Sequence, residues 1–222
     1  MQKRTKVLAG VGVGVVVLGG VALAVGPTLY ADWVNGNADA APTIAASAAA
    51  DPVTPTDGTW TVGAGSFAGY RVDEVLQGKD VTVTGRTEKV AGTVTVADGS
   101  LTAAEVDVDM ASIATDEPPR DSYFRDTALQ TGTFPTATFT LTEPVVLGDG
   151  VTSATLTGDL TIRGEKKQVT VDAQVAASGD TVQVVGSVPI TFADFGVEAP
   201  DLGFVTVEKT GAVEFDLRLA QS

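Results

Sequence analysis

Cysteine and histidine are both absent from the 222 residues. Without them the chain can build no disulfide, no thiolate nucleophile, no Cys/His zinc site and no Ser-His-Asp triad. The lack of cysteine assigns no compartment, because a domain with enough core needs no staples even where disulfides form. Basic residues are scarce too: 14 stand against 28 acidic ones, a net charge of -14. That argues against a nucleic-acid partner, since phosphate binding needs a basic face that releases counterions. No other catalytic constellation stands out, so the chain is read as a non-enzyme with no cofactor and no metal. Asp116, Glu117 and Asp121 gather acidic groups, but their spacing matches no EF-hand loop.

One long apolar run is present, at the N-terminus. Lys3, Arg4 and Lys6 precede an uncharged stretch from Val7 to Ala31, apolar from Val7 to Val25. At about 1.5 Å per residue, such a helix approaches the ~30 Å hydrocarbon thickness. The expectation is a single-pass anchor in the cytoplasmic membrane over residues 1–31, basic tip inside and the remainder extracytoplasmic. The competing reading is a cleaved signal sequence ending near Ala22-Leu23-Ala24, which would leave a secreted or periplasmic protein. Residues 32–57 are rich in Ala, Pro and Thr, with Pro42, Pro52 and Pro55, and are expected to form a flexible linker. Residues 58–222 remain as the domain, a length that suits one fold.

From Thr59 onward the pattern alternates. Val81 and Val83 alternate with Thr82 and Thr84; Val106, Val108 and Met110 with Asp107 and Asp109; Phe215, Leu217 and Leu219 with Asp216 and Arg218. Period-two patterning rich in Val and Thr predicts half-buried strands. Turn signals separate them at Asp98-Gly99, Gly148-Asp149-Gly150, Arg163-Gly164 and Ser178-Gly179-Asp180. One short helix is expected over Arg120 to Gln130. A sheet with one apolar face must be covered, and no long amphipathic helix exists to cover it. The expected solution is an all-β antiparallel meander closed into a barrel of about eight strands, wide enough for packed side chains or one small ligand.

Five segments, in order, carry a family resemblance. Trp60-Thr61-Val62 with Ser66 and Tyr70 comes first, then Val106 to Thr115 with Arg120-Asp121. Phe134-Pro135-Thr136-Ala137-Thr138-Phe139, Leu156 to Gly164, and Ile190 to Val197 follow. Together they resemble the YceI family of lipocalin-like, polyisoprenoid-binding proteins. The resemblance implies an eight-stranded antiparallel barrel with an internal tunnel for an isoprenoid-type lipid. Where that family commonly carries a histidine before the first-strand serine, this chain has Gly65. The Asp194-Phe195-Gly196 triplet invites a kinase analogy, which fails because no Gly-rich loop, lysine and H-R-D segment accompany it.

The tunnel lining is expected from Tyr70, Val106, Val108, Met110, Phe139, Leu141, Leu160, Ile162, Val171, Phe192, Phe215 and Leu217. Ser112, Arg120 and Asp121 are the polar candidates for the barrel mouth; the competing reading gives Asp121 a helix cap and Arg120 a carboxylate partner. The expected partners are an isoprenoid-type lipid and, through the N-terminal helix, the membrane, with the chain as monomer or homodimer. The alternative function is a non-catalytic structural or interaction module of the cell envelope, its barrel filled by its own side chains.

Overall fold

A computed structural model describes residues 26, 28–44, 53–178, 180–201 and 203–222. Eleven strands follow one another: β1 (Gly58–Val62), β2 (Phe67–Leu76), β3 (Lys79–Thr87), β4 (Val90–Ala97), β5 (Ser100–Asp109), β6 (Thr136–Leu141), β7 (Val145–Val146), β8 (Ser153–Ile162), β9 (Glu165–Ser178), β10 (Thr181–Thr191) and β11 (Val205–Gln221). Every pairing is antiparallel.

These strands make eight staves. β2 pairs β3 with Ala68 opposite Thr87, and the same hairpin continues as β1 on β4 with Trp60 opposite Val94. β1 with β2, and β3 with β4, are therefore halves of two long bent strands. β11 closes the ring, pairing β2 through Asp216–Phe67 and β1 through Leu219–Val62. The result is an eight-stranded antiparallel barrel.

Local chemistry explains the corners. Gln77-Gly78, Asp98-Gly99 and Arg163-Gly164 each place two successive residues at positive φ, the two-residue turn whose twist matches flanking strands. Between β1 and β2 the ladder breaks, and Ser66 repairs it. Its hydroxyl donates to Gly63 O at 2.8 Å and accepts from Arg218 N at 2.8 Å. This buried serine belongs to the first family-like segment, and its work is structural.

The β5–β6 connection crosses one end of the barrel. It contains a 3-10 turn (Met110–Ser112), a short helix α2 (Pro118–Tyr123) and a π-turn (Phe124–Ala128). The helix expected over Arg120 to Gln130 is thus two short pieces, starting earlier because Pro118 and Pro119 suit a helix's first turn.

The N-terminal expectations need correction. No helix among the described residues is long and apolar enough to cross a membrane. The proposed anchor ran through Ala31, but a helix over residues 28–37, here α1, is packed on the barrel. Ala31 and Val34 keep only 3% and 2% exposure, against Val72, Leu76, Val81 and Val83. Their spacing of three puts both on one helical face, so the end of that stretch buries itself against protein instead of lipid. The transmembrane helix before the barrel, the membrane partner and the single-pass placement with an extracytoplasmic domain are withdrawn on this finding. Val7 to Val25 lie outside the described residues.

Several residues of the stretch expected as a linker bond to the barrel. Asn35 donates from Nδ2 to Asp80 O at 3.1 Å and accepts from Thr82 N at 2.8 Å. The amide thereby occupies the place of a neighbouring strand along β3, an edge that would otherwise offer unpaired backbone groups. Asp39 N donates to Thr84 Oγ1, and its carboxylate pairs with Arg86. At the opposite end Val53 bridges Val151, and Asp57 accepts from the backbone of the Asp98-Gly99 turn. Residues 45–52 lie outside the described residues.

Candidate ligand-binding cavity

Inward positions follow from strand alternation: Ala68, Tyr70, Val72, Glu74 and Leu76 share one face of β2, and Val106 and Val108 one face of β5. They enclose a cavity of about 1070 Å³ that reaches both ends of the barrel. One end is bordered by Val53, Trp60, Leu101, Leu147 and Val151, the other by Tyr30, Leu76, Pro119, Tyr123 and Phe204. The volume is at the upper limit of ordinary small-ligand pockets, about 300–1,000 Å³.

Inward aromatic rings do not plug this space. Phe215 lies opposite Gly186 across the β10–β11 ladder, and a Cβ on that glycine would come within 2.5 Å of the ring's Cζ. A Cβ on Gly158 would likewise meet Phe139 at 2.4 Å. Each ring lies flat where its neighbouring strand has no side chain. Glycine therefore lets the rings line the wall without crossing the lumen.

With the exception of Leu141, every residue expected to line a tunnel borders this cavity. Leu141 sits at the last position of β6, beside the loop that leaves the barrel. The polar trio is divided. Arg120 borders the cavity, with Nη1 at 2.8 Å from Asp116 and Nη2 at 3.6 Å from Glu74. Asp121 is buried, but its Oδ1 accepts from Thr115 N and Oγ1, both at 2.8 Å, and it borders no part of the cavity. It does not cap the helix either, whose first turn contains it. Ser112 ties its turn to β3, 2.6 Å from Thr87 Oγ1, and donates to Asp109 O. Both make framework bonds within the connection that crosses this end, and neither borders the cavity.

Several cavity residues were missed. Glu74 follows Tyr70 and Val72 in strict alternation, so the signal was present in the sequence. Burial pushes its carboxyl above the usual value, outweighing the opposing pull of Arg120. Tyr30 falls within the stretch expected as the anchor, yet it borders the cavity, and its hydroxyl donates to Glu117 Oε1 at 3.3 Å. Tyr70 stacks on Phe124 with centroids 5.1 Å apart, and burial holds its phenol well above the ordinary tyrosine range.

A closed meander with an apolar interior belongs to the class of β-barrel that accommodates an apolar ligand between its strands. A model of the YceI-like domain matches residues 60–219, and the chain belongs to that family. A UPF0312 protein of Shewanella denitrificans is 34% identical over 115 residues, 49% of this chain and 57% of that one. Another from Pseudomonas paraeruginosa is 35% identical over 106 residues, 45% and 53% of the two chains. The chain spans about half the length of the curated relatives it matches.

Two solved structures share the fold. Burkholderia cenocepacia BcnA superposes with a TM-score of 0.54 at 24% identity, over 67% of this chain and 95% of that one. A polyisoprenoid binding domain from Saccharophagus degradans, implicated in plant cell wall breakdown, gives 0.58 at 23%, over 73% and 98%.

Proposed function

We propose that this barrel holds an isoprenoid-type lipid, a polyprenyl chain or an isoprenoid quinone, extended along its cavity. The observation that carries the reading is the open, almost wholly apolar lumen of about 1070 Å³. Its lining is the alternating set that includes Val106, Val108, Met110, Phe139, Leu160, Ile162, Val171, Phe215 and Leu217.

Magnitudes favour a long guest. Each buried methylene contributes roughly 0.8 kcal/mol. Association costs about 4–15 kcal/mol in lost freedom. A short chain cannot offset that cost without charged anchors, whereas about a dozen buried carbons begin to. A branched isoprenoid tail also suits a wall built from Val, Leu, Ile and flat rings. The relative from Saccharophagus degradans, a polyisoprenoid binding domain by name, supports the same ligand class.

The filled-barrel alternative requires side chains across the lumen, and Phe139 and Phe215 are instead laid against the wall. Organic extraction of the purified chain followed by mass spectrometry tests the reading. An isoprenoid lipid in stoichiometric amount is the expected result. Absence of co-purified lipid together with no saturable uptake of an added polyprenyl alcohol would overturn it.

A further inference from the structure

The cavity is apolar except near one end, and the chemistry there is lopsided. Arg120 is the one basic side chain bordering it among the described residues, while Glu74, Glu117 and Glu198 border it as acids. Both arms of Arg120 are already engaged, by Asp116 and Glu74. Glu117 is held by the Tyr30 hydroxyl. Beside them stands Tyr70, its ring fixed by Phe124 and by the bare backbone of Gly85 opposite. Among the described residues no group hydrogen-bonds the Tyr70 hydroxyl, although it feels the charges of Arg120, Asp121, Glu74 and Asp116. A tyrosine packed into an apolar wall normally finds a partner for its hydroxyl. Tyr70 is half-buried and borders the cavity, and no described residue supplies that partner.

Resting on the reading of the barrel as a lipid holder, we propose that this end is a head-group subsite. It receives an uncharged, oxygen-bearing head, an alcohol or a carbonyl, which accepts a hydrogen bond from the Tyr70 hydroxyl, and it rejects phosphate heads. Two physical facts set the preference. A neutral oxygen satisfies the free phenolic donor without bringing charge into an apolar space. A phosphate would meet three carboxylates at the cavity border and a guanidinium whose charge is already neutralised. The chain's net charge of -14 adds long-range repulsion of the same sign.

The test uses phytol, phytyl phosphate and the hydrocarbon phytane, which share one branched tail, titrated into the full chain. Trp60 borders the cavity and reports occupancy by its fluorescence. Phytol is expected to bind on the order of tenfold more tightly than phytyl phosphate, a difference of about 1.4 kcal/mol. Tyr70→Phe retains the ring and its stacking. It should weaken phytol about five- to tenfold, leave phytane unchanged, and leave the thermal midpoint within a few degrees. Tighter binding of the phosphate overturns the inference. Equal binding of phytol and phytane with a silent Tyr70→Phe also overturns it, while leaving the apolar cavity reading standing. No binding of any of the three brings down both.

Discussion

Two kinds of residue decide what this barrel can do, the inward glycines and the inward acid. Gly186→Ala would place a methyl against Phe215 and force the ring toward the lumen. Overpacking of this sort costs about 1–3 kcal/mol. Denaturant unfolding should show that loss, and lipid titration should show affinity falling most for the longest chains. An unchanged affinity profile would mean that the Phe215 ring does not gate the lumen. Glu74 makes a prediction of opposite sign for stability. Its folded carboxyl titrates above its unfolded value, so the folded state binds more protons in the interval between the two. Stability is therefore greatest below that interval and declines as pH rises through it. Glu74→Gln should raise the thermal midpoint at neutral pH and flatten this decline. Asp216, also pushed up by burial, contributes a second decline of the same sign that the Glu74 variant leaves in place.

Secondary structure elements divide the chain into what alternation reveals and what it hides. The strands announce themselves because one face meets an apolar interior, giving Val106-Asp107-Val108-Asp109 a period of two. Arg163-Gly164 and Asp98-Gly99 announce their turns because only certain residues tolerate positive φ. α1 does not announce itself. Its buried face is just Ala31 and Val34, and the apolar run before it merges with Leu29 and Tyr30 into one hydrophobic stretch. Whether such a stretch meets lipid or protein depends on the β2–β3 hairpin far along the chain, which no local pattern encodes. The role of Asn35 is likewise tertiary: a polar residue on a short helix that completes a strand edge. Asn35→Ala should cost about 1 kcal/mol through these lost bonds. The same change should accelerate hydrogen exchange at the Thr82 amide while leaving the amides of β9 and β10 protected. Unaltered exchange at Thr82 would show that the edge is covered by something other than this side chain.

At the scale of the whole molecule, closure is legible in the sequence because a one-faced sheet without a covering helix has to roll up. The polar end of the cavity was less legible. Ser112 and Asp121 sit in family-like segments yet serve the framework, through Thr87 and Thr115. Tyr70 stands in the expected lining, but that no described residue bonds its hydroxyl depends on which groups surround it in space. An open lumen is the property on which the account turns, and its most direct test is a chain-length series of polyprenyl alcohols titrated against Trp60 fluorescence. The account predicts affinity that rises with each added isoprene unit and then levels off once the tail fills about 1070 Å³. Affinity independent of tail length, or no saturable signal at any length, would contradict it.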